Sequence, residues 1–209
     1  MAITFPRAMP DFGLATQAFE LDRIDYLSPT VGAGIGSVSA GAPLWSATWA
    51  LGSTDSDDET EQLRAWLTSL RGSQRPFFGA DQRRRLPRAY AEAGLPAGFN
   101  GDATAWSVNA DRDVVTPTLP AGFILMTGDY IGFRWGTNGR TKVRLLEGRV
   151  GTGPVTVEPA VPTIVPGNAI AYVLNPVCVM KLTPETEFGA MGVDGQMAGK
   201  ISAIQDLRA

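Results

Sequence analysis

Apolar residues at Leu63, Trp66, Leu67 and Leu70 recur at i, i+3, i+4 and i+7, which is the period of a helix that buries one stripe. Ser56-Asp-Asp-Glu59 precedes them as a capping box, in which the serine accepts from a first-turn N–H and the glutamate reaches back. The helix is therefore predicted to run over 57–71, with Arg71-Gly72 supplying a cation and then a residue that tolerates left-handed backbone. Elsewhere the dominant period is two. Residues 19–26, 42–49 and 75–79 are predicted strands in the first part of the chain, with 31–36 as a glycine-rich loop. Strands are predicted again at 122–126, 129–135, 142–147, 155–158 and 169–174, then at 177–183 and 197–205, with 188–195 as a loop. Asn138-Gly139 lies between two of these runs and predicts a hairpin, because a tight turn there wants positive φ.

The punctuation Gly94-Leu-Pro-Ala-Gly-Phe-Asn-Gly101 marks a boundary. Five strands in the stretch 95–175 suffice for a small barrel. The first part holds few strands and a helix whose stripe needs a wider sheet to cover, so 176–209, with its final strand, is expected to return to it. The predicted fold class is mainly β with one α-helix: a β-sandwich or split-barrel domain from 1–94 and 176–209, and a small β-barrel from 95–175.

Gly and Pro number 24 and 15 while 44% of residues are hydrophobic, which is a turn-rich folded chain rather than a disordered one. With 18 cations against 21 acids the formal charge is −3, too little positive charge for general binding to nucleic acid or an anionic membrane. No histidine occurs, which removes Ser-His-Asp and Cys-His catalysis and histidine metal ligation. The one cysteine, Cys178, reads as a strand position, and no signal-peptide pattern opens the chain. Near misses for phosphate loops at 32–36 and 195–200 lack the required spacing.

Charge is unevenly placed. Seven of the 18 cations, all arginines, fall between Arg64 and Arg88, and Arg83, Arg84, Arg85 and Arg88 form a loop that suits carboxylate pairing. Five acids, Asp55, Asp57, Asp58, Glu59 and Glu61, crowd the helix start, where they complement its dipole. Opposite patches of this kind fit a head-to-tail contact between chains, and these nine residues are the candidate inter-subunit contact. Trp45, Trp49, Trp106, Trp135 and Tyr130 offer an alternative, a carbohydrate-binding β module, although most sit among apolar neighbours. Asp111, Asp113, Asp129, Glu147 and Glu158 could in principle supply a carboxylate pair for glycoside hydrolysis.

The order of Pro43-Leu-Trp-Ser-Ala-Thr-Trp49, the helix end Ala65-Trp-Leu-Thr-Ser-Leu-Arg-Gly72, the loop Pro76-Phe-Phe-Gly-Ala-Asp-Gln-Arg-Arg-Arg-Leu-Pro87 and Leu125-Met-Thr-Gly-Asp-Tyr-Ile131 resembles the distal tail and tail-tip proteins of long non-contractile tailed bacteriophages and gene transfer agents. The resemblance implies a non-enzymatic structural virion protein that needs no cofactor. Its expected form is a homo-oligomeric ring, commonly a hexamer, joining the tail tube protein to the tail-tip hub and host-recognition apparatus, with the tape-measure protein passing its bore. Its second domain would have an oligonucleotide/oligosaccharide-binding shape. The expected location is the virion tail tip after assembly in the host cytoplasm, without membrane contact or specific nucleic-acid binding.

Overall fold

A computed structural model describes residues 3–29, 35–52, 57–191 and 197–208. The first half contains β1 (Arg7–Ala8), β2 (Leu14–Asp22), β3 (Asp25–Pro29), β4 (Ile35–Ser39), β5 (Leu44–Leu51), helix α1 (Asp57–Leu70) and β6 (Phe77–Ala80). Then come β7 (Trp106–Val108), β8 (Val114–Pro117), β9 (Ile124–Leu125), β10 (Tyr130–Trp135), β11 (Gly139–Leu145), β12 (Arg149–Val150), β13 (Val155–Glu158) and β14 (Ile170–Tyr172). The chain ends in β15 (Val177–Leu182), β16 (Glu187–Met191) and β17 (Met197–Gln205). The fold is mainly β with a single α-helix among the described residues.

One sheet has the order β1-β6-β15-β17-β5-β2, with β16 beside β17, and a second has the order β14-β10-β11-β13-β8-β7. The strand at the C-terminal end, β17, lies between β15 and β5, so it is an interior strand of the first sheet. Strict alternation along β5 sends Trp45, Ala47, Trp49 and Leu51 inward, and α1 lays Leu63, Trp66, Leu67 and Leu70 into the same core. Trp66 meets Phe77 edge-on at 5.1 Å between ring centroids, which seats the helix on β6. The helix stops where Arg71 and Gly72 both take left-handed backbone, at φ 52° and 63°, and Arg75 donates to the carbonyl of Ser69 at 3.1 Å. The second core forms around Ile131, Phe133, Val143, Leu145, Val155 and Val157.

Several predicted elements differ in detail. The predicted strand 19–26 is two strands, because the chain leaves the first sheet after Asp22 and restarts at Asp25 in a separate ribbon. Ile35 and Gly36, expected in a loop, belong to β4 of that ribbon, while 31–34 lie outside the described residues. Residues 188–191, also expected in a loop, continue β16, and 192–196 lie outside the described residues, as does the capping serine Ser56. The hairpin around Asn138-Gly139 exists, but its left-handed residue is Gly136 at φ 50°. Gly139 is instead a strand position whose missing Cβ leaves room for the Trp135 ring. Strands β7 and β8 were not predicted; at three and four residues they are too short to show a period.

Gly132 in β10 faces the ring of Tyr172, and a Cβ built there would lie 2.5 Å from Cζ of that ring. Tyr172 cannot retreat freely, because it is buried and its hydroxyl accepts from the Val177 N–H at 3.2 Å. Gly132→Ala is expected to lower stability by about 1–3 kcal/mol through overpacking. Thermal denaturation of the variant checks this, and an unchanged melting temperature would contradict it.

Candidate functional site

β11 alternates in an unusual way. Val143 and Leu145 enter the second core, whereas Arg140, Lys142 and Arg144 point out of it, towards the first sheet. The first sheet answers with aromatic rings. Lys142 is fully buried, its Nζ 3.5 Å from the Phe19 ring centroid, 4.3 Å from that of Tyr130 and 5.6 Å from that of Trp45. Its backbone carbonyl accepts from Trp45 Nε1 at 2.8 Å, and its Nζ has no hydrogen-bond partner. The ring faces are the attraction that holds the charge there. Burial lowers the ammonium pKa from 10.5 to about 8, partly opposed by the thiol of Cys178 and the carboxylate of Asp81.

A hydrogen-bond chain crosses the same seam. Arg144 donates to Tyr130 Oη at 3.0 Å, Tyr130 donates to Asp81 at 3.0 Å, and Asp81 accepts from Gln17 at 2.6 Å and from the Arg83 N–H at 3.1 Å. Arg144 also donates to Glu20 at 2.9 Å and to the carbonyl of Phe19 at 3.0 Å. Burial, with Asp81 adding to it against the Arg144 hydrogen bond, pushes the Tyr130 hydroxyl up to about 12, so it keeps the proton it gives to Asp81. Gln205 closes the far side, accepting from the Trp45 N–H at 3.2 Å and donating to Thr141 at 2.9 Å.

The arginine loop is laid across this seam. Arg84 donates to the carbonyl of Gly128 at 3.1 Å. Arg85 binds Asp11 at 2.7 Å, and its carbonyl accepts from the Asn175 N–H at 2.5 Å. The Arg88 N–H donates to Asp129 at 3.1 Å, and its guanidinium reaches Asp129 at 3.4 Å and the carbonyl of Thr127. Arg83 is exposed, with its side chain in none of these bonds. Of the acids, Asp58 and Glu59 are exposed on the first turn of α1, Asp57 opens the helix, Glu61 pairs with Arg64 at 3.3 Å, and Asp55 lies outside the described residues.

Asp111 is exposed, and the other candidate carboxylates have structural partners. Asp129 is buried and accepts from the Met126 N–H as well as from Arg88, Glu158 pairs with Arg23, and Asp113 accepts from Asn109. Glu147 accepts from the N–H and hydroxyl of Thr156, which hold its pKa below the usual value, the reverse of what a general acid needs. Trp45, Trp49 and Tyr130 are buried and offer no free face for a sugar ring, and Trp106 and Trp135 are partly buried against the second core. Cys178 is buried, and burial pushes its thiol up to about 12, which makes it a packing residue. Lys200 of the near-miss phosphate loop is a strand residue opposite Ala50. Among the described residues no group of three or more acids and cysteines could hold a metal, and no helix is long and apolar enough to cross a membrane.

Two features escaped the sequence reading. The ribbon of β3 and β4 pairs only with itself and exposes Ile24, Tyr26, Leu27, Ile35 and Val38, each 64–72% accessible. The cations of β11 were also missed, although their signal was present: Arg140, Lys142 and Arg144 share the period of two that marks one face of a strand. No protein-family model matches the chain, and no curated protein matches it.

The buried ammonium gives the seam a pH signature. Because the folded pKa of Lys142 lies below the unfolded value of 10.5, the folded chain binds fewer protons between about 8 and 10.5, and stability from this group rises with pH there. Cys178 and Tyr130, raised from 9.0 and 10.0 to about 12, act in the opposite direction from those values upward. Lys142→Met should therefore be more stable than the parent at pH 7, by up to about 3 kcal/mol less the lost attraction to the rings. Its advantage should shrink above pH 8 and vanish near 10.5. Melting curves of both chains across that range check this, and a constant difference between them would contradict it.

Proposed function

We propose that this chain is the ring-forming subunit of a tail tip in a long non-contractile phage or a gene transfer agent, where it joins the tail tube to the hub and the host-recognition apparatus. The observation that carries this reading is the β3–β4 ribbon. In its register Tyr26 faces Val38 across the strands, while Leu27 and Ile35 fall on the opposite face. Both faces of the ribbon are thus apolar and exposed. A two-stranded ribbon is marginal in water by itself, and apolar surface of this kind is characteristic of a surface that binds another protein. An arm leaving one subunit and lying on the next is a head-to-tail contact, which closes into a ring when the rotation per subunit divides a full turn.

The arginine loop supports the reading at a second place. Arg84, Arg85 and Arg88 are bound within the chain and fix the loop, which leaves Arg83 on a held scaffold facing outward. The exposed acid Asp58 of a neighbouring subunit is its complement. No reaction is assigned to the chain.

Particle-mass measurement of the purified protein tests the proposal, with a sixfold ring as the expected species. Leu27→Asp with Val38→Asp should leave the melting temperature of the body unchanged and shift the particle mass to that of single chains. Arg83→Ser should weaken assembly in a salt-dependent way with little change in melting temperature, since one exposed pair contributes only about 0–1 kcal/mol. A parent chain that stays monomeric at all concentrations, or an arm variant that assembles like the parent, would contradict the proposal.

A further inference from the structure

A groove of about 440 Å³ opens where the edge of the first sheet meets β10 and β11, and three arginines enter it: Arg85 from the loop, Arg134 from β10 and Arg140 from β11. Arg134 and Arg140 are direct cross-strand partners in the antiparallel register. Like charges placed directly opposite each other destabilise a sheet, so this pair breaks a local rule of strand pairing. Arg134 is balanced by Asp102 at 2.5 Å and lies over the Tyr172 ring at 5.4 Å. Arg140 is not balanced. Its guanidinium lies over the Phe78 ring at 5.5 Å, its hydrogen bond goes to the carbonyl of Gly139 at 2.7 Å, and it has no ion pair with any described carboxylate. Across the groove Arg85 is held only by exposed contacts, to Asp11 and Gln82.

With Arg134 paired to Asp102 and Arg85 to Asp11, the three arginines leave one uncompensated positive charge, that of Arg140, in a chain of net charge −3. An arginine stacked by its face keeps N–H groups free at its edge, in the plane that pairs with a carboxylate. Phe78, Leu174 and Val177 line the groove together with the cations, so it offers apolar surface beside charge. A volume of about 440 Å³ is small, and the net negative charge of the chain opposes a long polyanion such as nucleic acid.

We propose that this groove binds an acidic peptide segment of a partner protein, with carboxylates seated on Arg140 and Arg85. The groove is separate from the arm, and its binding does not depend on ring formation.

Fluorescence anisotropy of a labelled hexaglutamate peptide with the full chain at low salt tests this. The expected result is saturable binding that weakens with salt. Arg140→Met, which keeps apolar contact with Phe78, should raise the Kd roughly tenfold or more while the melting temperature stays equal or rises, because a like-charge pair is relieved. Arg140→Lys keeps the charge but not the fork and should fall between the two. Arg83→Ser, outside the groove, should change the Kd by less than about threefold if recognition is local rather than a general attraction. Absent binding, equal loss in Arg83→Ser, or an affinity that Arg140→Met leaves unchanged would overturn the proposal. Tighter binding of a short oligonucleotide than of hexaglutamate, lost in Arg140→Met, would overturn the peptide assignment.

Discussion

The ammonium of Lys142 sits where water does not reach it and no carboxylate pairs with it, enclosed by Phe19, Tyr130 and Trp45. A buried unpaired charge costs several kcal/mol, and ring faces return only about 2. Such a group is tolerated when surrounding contacts hold it. Here they are the Trp45 hydrogen bond to the Lys142 carbonyl, the Arg144–Tyr130–Asp81 chain and the Gln205 bridge, all of which cross between the two sheets. The polar face of β11 therefore fixes how one sheet is set against the other. Arg140, two positions from Lys142 on the same face, emerges from the seam into the groove, so the same alternation that locks the body also places a cation where a partner can reach it.

Long periodic segments were legible from the sequence. The stripe of α1, the alternation of β5 and the span of β17 follow from residue pattern alone, because each repeats often enough for its period to show. Short strands such as β7 and β8 were not, since their pairing is imposed by β13 rather than by their own composition. The ribbon was hidden for a different reason. Residues 19–26 read as one amphipathic strand, and only the tertiary structure shows that the chain leaves the first sheet after Asp22, carrying Tyr26 and Leu27 away from it. For the arginine loop, sequence showed the cluster but could not show that Arg84, Arg85 and Arg88 have partners within the chain, because Gly128, Asp11 and Asp129 are remote from them in sequence.

A rigid body with an apolar arm and a cationic groove is suited to building an assembly. The seam gives the chain a fixed shape, which the repeated contacts of the proposed ring would require. The arm exposes apolar area and the groove presents a cation at a different place, so the proposed contacts with a like copy and with an acidic peptide would not compete. Division of labour of this kind also accounts for the position of charge. Arg83 lies on the exposed loop and Arg140 at the groove, whereas Lys142 and Arg144 are committed to the seam.

Native-state hydrogen exchange tests most directly whether the seam makes one body of the two sheets. If it does, the amides of Trp49 in β5 and Val143 in β11 should exchange only by global unfolding, with the same free energy and the same response to denaturant. Exchange of Val143 through an opening that leaves Trp49 protected, or the reverse, would show two sheets that unfold separately and would contradict the locking role given to the hydrogen bonds across the seam.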